Sequence, residues 1–230
     1  MTALEINTQQ KGLHTFWVLA SPVLVILIAY SAARFFWAQF GNWAWLGTSL
    51  VYWGSTLLII WLLGDRQAWG RWFRRPQGSK WWIVAAVVVG FISFPLLFFP
   101  HMSAMRPMGL VVLWFLFAAI NSTCEELFWR GFLLDETSCL PRAVGVIYSC
   151  VLFTAIHPIM LGVYSQANRF DPAHPTALLP FWMIVVFLGL FYSLLYFKTK
   201  SLRLPILSHF LTDLGNLSIF LFMNIVKISF

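Results

Sequence analysis

The chain has 230 residues, of which 60% are hydrophobic and 10% charged, with a mean hydropathy of +0.78 and a formal net charge of +7. A soluble domain carries about 25% charged residues, so this composition excludes a globule wetted on every side. Apolar runs of about 18 or more residues read instead as membrane helices, because about 20 residues at ~1.5 Å rise cross a hydrocarbon core of roughly 30 Å.

In chain order, the residues before His14 are mostly polar and are expected to form a cytoplasmic tail over 1–14. The run from Thr15 to Trp37 is too long for the apolar core of a cleavable signal peptide and is expected to stay as a helix. Trp43 to Leu63 and Trp81 to Phe99 follow, joined by GDRQAWGRWFRRPQGSK. The fourth run is Met108 to Leu134, the fifth Ala143 to Leu161, the sixth Leu179 to Phe197 and the seventh Pro205 to Val226. Rings crowd their ends, as at Phe36, Trp37, Trp43, Trp45, Trp81 and Trp82, where headgroups favour amphipathic aromatics. The expectation is an all-α, polytopic membrane protein with about seven transmembrane helices in one bundle over 15–230.

The placement of positive charge reads as topology. With seven helices, one face receives Lys11, Arg66, Arg71, Arg74, Arg75, Lys80, Arg142, Lys198, Lys200 and Arg203, while the other receives Arg34, Arg106, Arg169 and Lys227. Only Arg130 of the 15 basic residues is left inside. The positive-inside rule then puts the N-terminus in the cytoplasm, in what is expected to be a bacterial cytoplasmic membrane. The basic loop lies on anionic headgroups, and no nucleic-acid partner is expected. Cys124, Cys139 and Cys150 lack CxxC spacing and read as reduced small residues.

An ionised group at the bilayer centre costs about 2.5 to 3.5 kcal/mol on insertion scales, so intramembrane polar residues mark function. Among the acids only Glu125, Glu126 and Asp213 lie within apolar helices; among the histidines only His157 and His209 do. Glu126 and Arg130 are four apart and share a helix face, so they can pair, whereas Glu125 is turned by roughly 100° toward other surroundings. His209 and Asp213 are also four apart, so the carboxylate can orient the imidazole or share a ligand with it. Pro158 removes a backbone donor directly after His157 and is expected to bend its helix there. Two histidines and a glutamate also match zinc ligands in type, without HExxH spacing. On spacing alone, a hydrolase, a proton- or ion-coupled transporter and a non-catalytic immunity or scaffold protein all stay open.

Glu125-Glu126-Leu127-Phe128-Trp129-Arg130 matches EExxxR, Phe153-Thr154-Ala155-Ile156-His157 matches FxxxH, and His209-Phe210-Leu211-Thr212-Asp213 matches HxxxN/D. In that order on separate apolar segments, they resemble the CPBP family of intramembrane proteases, which includes the type II CAAX prenyl endopeptidases and bacterial proteins of the abortive-infection group. The approach SLRLPILSH to the second histidine is also similar, and the likeness spans Asn121 to Asn216. The resemblance implies a catalytic core at about 108–226 and an endopeptidase acting on a membrane-associated protein or peptide. It implies that Glu125 and His157 activate water, that His209 and Asp213 face the scissile carbonyl, and that Glu126 and Arg130 brace the helix. Two mechanisms fit the resemblance: one metal-free and glutamic in type, the other with a divalent ion such as zinc held at Glu125, His157 and His209. An ionised aspartate at 213 only accepts hydrogen bonds, where asparagine donates, so Asp213 must be protonated, orient His209 or help hold a metal. The site is expected nearer the cytoplasmic side, within a water-accessible cavity.

Overall fold

The computed structural model describes residues 3–102, 108–159 and 179–225. Its helices are α1 (Ala3–Phe40), α2 (Ala44–Leu63), α3 (Ala68–Trp72), α4 (Trp81–Phe91), α5 (Met108–Glu126), α6 (Arg142–Ile156), α7 (Leu179–Thr199) and α8 (Arg203–Ile225). Among the described residues there is no strand. Among the described residues five stretches are long and apolar enough to cross a bilayer: Lys11–Phe40, Ala44–Leu63, Trp81–Phe98, Val111–Glu136 and Leu179–Thr199. α6, with 15 residues, and α8, with 23, stand where the fifth and seventh helices were expected. Their expected ends at Leu161 and Val226 lie outside the described residues.

Lipid accounts for the outward face. Leu58, Trp61 and Leu62 on α2, Ile83, Val84 and Val88 on α4, and Val112, Phe115 and Leu116 on α5 are exposed along their helices. Apolar surface this continuous is foreign to a soluble monomer and natural in hydrocarbon. The protein is an integral membrane protein. Several inward-facing hydroxyls are satisfied within their own helices, as where Thr48 donates to Ala44 O at 3.0 Å and Thr212 to Ser208 O at 3.0 Å. No water is needed to keep them from standing as orphans.

Two features of the helices differ from the expectation. α1 begins at Ala3, where a tail was expected up to residue 14, because the polar residues ahead of the apolar run continue its helix. After α5 the chain widens into a π-helix, Leu127–Phe132, before a last α-helical turn at Leu133–Glu136. A π segment carries an extra residue and frees backbone groups, and such segments gather at functional sites. Here the Trp129 carbonyl accepts from Ser149 Oγ on α6 at 2.8 Å.

The loop between α2 and α4 is sewn to the chain between α7 and α8. Leu202 N donates to Trp72 O and Gln77 N to Thr199 O, each at 2.8 Å, while Arg74 Nε donates to Lys200 O at 2.6 Å and Arg203 Nε to Phe73 O at 2.7 Å. Lys200 takes a left-handed φ of 53°, reversing the chain so that its carbonyl meets Arg74. Asp135 bolts the loop to the bundle, accepting from Trp72 Nε1 at 2.9 Å and from the Tyr196 hydroxyl at 2.6 Å. Gly131 allows Trp72 this close, since a Cβ there would stand 3.0 Å from both its ring and Leu202.

Outside the membrane segments, Arg71 pairs with Asp65 at 3.0 Å, and the Gln67 amide together with this guanidinium holds the Asp65 carboxyl below its ordinary range. That contribution to stability is present above the unfolded carboxyl's range and is lost as pH falls through the folded one.

Asp135→Ala is expected to destabilise the protein by about 1–3 kcal/mol, because it strips the acceptor from the buried Trp72 indole. An unchanged thermal midpoint in detergent would show that the bolt carries no weight.

Candidate active site

Glu126 sits at the end of α5 with its side chain fully buried, and so does Arg130 one turn on. Arg130 Nη1 donates to Glu126 Oε1 at 3.0 Å, so the i,i+4 pairing read from the sequence is present. The guanidinium lies over the Phe153 ring at 4.1 Å, and its Nη2 donates to Gly189 O at 3.3 Å. Gly189 is what lets α7 come so near: a Cβ there would stand 2.9 Å from Cys150 Sγ and 3.6 Å from Arg130 Nη2.

The same Glu126 oxygen also receives His209 Nδ1 from α8 at 2.8 Å. Spacing pointed to Asp213 as the group that orients His209, but Asp213 Oδ1 is farther off, 3.4 Å from Nε2. Glu126 therefore fixes the ring, and Tyr192 stacks on its face with centroids 5.0 Å apart and planes 19° off parallel. Glu125 Oε2 lies 3.7 Å from His209 Nε2 and has no hydrogen-bond partner among the described residues.

Asp213 is tied across the bundle as well. Asn121 Nδ2 donates to its Oδ2 at 2.9 Å, while Asn121 Oδ1 accepts from Trp53 Nε1 at 2.9 Å. An indole only donates, so it fixes which way the amide points. Tyr52, whose hydroxyl accepts from Trp129 Nε1 at 2.9 Å, stands beside Glu125. Asn121, Trp53, Tyr52 and Tyr192 escaped the sequence reading. Asn121 alone carried a signal, as an amide one turn before Glu125 on the same helix.

His157 lies just past the end of α6, where the helical bonding changes: its amide bonds Thr154 O at 3.2 Å. Its ring Nδ1 is 2.7 Å from Phe153 O. A carbonyl only accepts, so Nδ1 carries the proton, and in the neutral ring Nε2 keeps its lone pair. The Phe153 ring packs edge-on to both histidines, at 4.6 Å from His157 and 6.2 Å from His209.

Glu125, His157, His209 and Asp213 all line one cavity of about 230 Å³, with Tyr52, Asn121 and Tyr192. The rest of its wall is mostly apolar. For zinc the side chains have the right chemistry, and Glu125 Oε2 has no hydrogen-bond partner among the described residues, while His209 Nε2 already faces Asp213 Oδ1 at 3.4 Å. As they stand, however, no three His, Cys, Asp or Glu side chains among the described residues form a group that fits a metal ion.

Removing one partner of a buried ion pair leaves the other uncompensated, at a cost of about 3–5 kcal/mol. Arg130→Met is expected to destabilise by that order in denaturant or thermal unfolding, and adding Glu126→Gln should return part of it. A double variant no better than Arg130→Met would mean that the guanidinium acts through Phe153 and Gly189 instead.

Residues 107–215 match the family described as type II CAAX prenyl endopeptidase Rce1-like. No curated protein and no solved structure matches the chain. The matched region begins just before α5 and ends in α8, and it holds all six of the polar residues singled out above. Over residues 107–215, just under half of its length, the chain is similar to the CAAX-type intramembrane proteases of the CPBP family.

Proposed function

We propose that the protein is an intramembrane endopeptidase that hydrolyses a peptide bond of a membrane-associated substrate with water activated by Glu125 and His157. The observation that carries this reading is the unpartnered carboxylate oxygen of Glu125 in the same cavity as the lone-pair nitrogen of His157. A carboxylate and an imidazole lining one cavity can together hold and activate a water there. General bases of this kind work when they reach the proton they remove.

In the proposed reaction, the water oxygen attacks the scissile carbonyl carbon as its proton passes to Glu125 or His157 Nε2. The carbonyl electrons move to oxygen, giving a tetrahedral oxyanion. His209, carrying both ring protons, gives one hydrogen bond to Glu126 and turns Nε2–H toward that oxyanion. Collapse breaks the C–N bond, and the proton taken from water goes to the leaving amine. One new carboxylate and one new amine result. Glu126 and Arg130 act as positioning residues, and Asp213, held by Asn121, keeps His209 Nε2 aimed. No step is routed through a metal; a zinc ion at Glu125, His157 and His209 is the alternative that the same experiment reads.

Glu125→Gln and His157→Ala are each expected to lower kcat by at least about 100-fold, the low end of what a general base supplies. The check is cleavage of membrane-anchored peptides by detergent-purified protein, with zinc content measured on the same sample. Activity kept in Glu125→Gln would remove the proposed base. Stoichiometric zinc lost with the histidine would replace the metal-free scheme by the metal one.

A further inference from the structure

α2 lies outside residues 107–215, yet two consecutive residues of it reach the candidate site. Tyr52 and Trp53 are both buried, and each connects to a different acid. Trp53 Nε1 donates to Asn121 Oδ1 at 2.9 Å, and Asn121 Nδ2 donates in turn to Asp213 Oδ2. Tyr52 lines the cavity together with Glu125.

The hydrogen bonds around the Tyr52 hydroxyl leave its proton one place to go. A phenol has one proton to give and lone pairs that accept. Trp129 Nε1 lies 2.9 Å from the hydroxyl oxygen, and an indole only donates, so this bond occupies a lone pair and turns the O–H away from the tryptophan. Trp129 follows Glu125 by four residues on the helical stretch that runs from α5 into the π segment, which sets the hydroxyl within about one turn of that carboxylate. Glu125 is the acid beside it.

Among the described residues the hydroxyl makes no other side-chain hydrogen bond. A buried phenol with its proton unmatched bears the cost of an orphaned donor, and buried polar groups are nearly always paired. Glu125 carries the converse, a buried Oε2 without a donor. Donor and acceptor share one cavity.

We propose that Tyr52 is a positioning residue for Glu125: its O–H, aimed by the Trp129 indole, donates to the Glu125 carboxylate and fixes the direction in which that carboxylate meets its water. This role rests on the reading of Glu125 as the group that activates water. The tyrosine keeps its proton throughout, giving a hydrogen bond and transferring nothing. An ionised carboxylate has about four lone-pair sites, so one bond from Tyr52 leaves room for a water on the same group. The site is then incomplete without α2, which orients Glu125 through Tyr52 and Asp213 through Trp53 and Asn121.

Tyr52→Phe and Trp129→Phe separate this role from a purely structural one. Both break the bond between the two rings, but only the first takes the hydroxyl from Glu125. Infrared spectra of detergent-purified protein are subtracted between each background and the same background carrying Glu125→Gln, which isolates the Glu125 carboxyl stretch without any turnover. The stretch is expected to shift in Tyr52→Phe and to shift less in Trp129→Phe. On membrane-anchored peptides, Tyr52→Phe should lower kcat by about 10- to 100-fold with KM changed far less, as expected of a misplaced base. Where Tyr52→Phe fails to fold because the Trp129 indole has lost its acceptor, the Tyr52→Phe/Trp129→Phe double variant is compared with Trp129→Phe, and the stretch must again move. A stretch that Tyr52→Phe leaves in place overturns the hydrogen bond, and an equal shift in both single variants returns Tyr52 to a mere acceptor for Trp129. A shifted stretch with kcat unchanged overturns the positioning role. A wild type that cleaves nothing while the stretch still moves sinks the water-activation reading, and the positioning role with it, but leaves the hydrogen bond standing.

Discussion

One carboxylate oxygen holds the centre of this protein together. Glu126 Oε1 accepts from Arg130 Nη1 at 3.0 Å and from His209 Nδ1 at 2.8 Å, in a place where neither Glu126 nor Arg130 has any exposed surface. Burying such charges costs several kcal/mol per ion, and the cost is offset only when each finds opposite charge and hydrogen bonds at good geometry. The pair by itself would be a clasp within one helix. By taking in His209 it becomes a cross-link between α5 and α8, whose motifs lie far apart in the sequence and nearly touch in space.

The surrounding helices are built to make that cross-link tolerable. Phe153 and Tyr192 lay ring faces against the guanidinium, giving it attraction without a water shell. Gly189 brings the α7 backbone within reach of Nη2 at a position where any side chain would collide with Cys150. The π segment starts at Leu127, directly after the two glutamates, and its altered register lets Trp129 bond both Tyr52 and Ser149. Glu126 and Glu125 each keep one carboxylate oxygen without a hydrogen-bond partner among the described residues, and of the two it is Glu125 that lines the cavity.

How much of this was legible followed from how rare each residue type is in its setting. In a chain that is 10% charged, Glu125, Glu126, Arg130 and Asp213 stand out against an apolar background, and so do His157 and His209. The positions of the apolar runs were legible for the same reason. Tyr52, Trp53 and Tyr192 were not, because in a chain that is 18% aromatic a ring in a helix carries no signal of its own. The bond between Glu126 and His209 was hidden by a different limit. Helical periodicity pairs residues within one element, so it favoured Asp213, four residues away, over Glu126, 83 residues away and closer in space. The loop seam between Trp72 and Leu202 and the π segment were invisible too, since both are backbone events that many side-chain patterns permit.

The aspartate at 213 joins these strands. An asparagine there brings its own donor to a developing oxyanion, whereas an aspartate brings only acceptors. In this chain the amide sits instead at Asn121, pinned by the Trp53 indole and spending one N–H on Asp213. Asp213 then presents its other oxygen to His209 Nε2, and Glu126 secures Nδ1 of the same ring. Each edge of the imidazole thus faces a carboxylate oxygen, and in the proposed reaction the ring serves as the donor. Under the proposed reaction the donor lost by having aspartate in place of asparagine is thus regained four residues back, at His209. The exchange shifts the demand onto the carboxylates: under that reaction the hydrogen bond to the oxyanion depends on Glu126 and Asp213 holding the two edges of the ring in place.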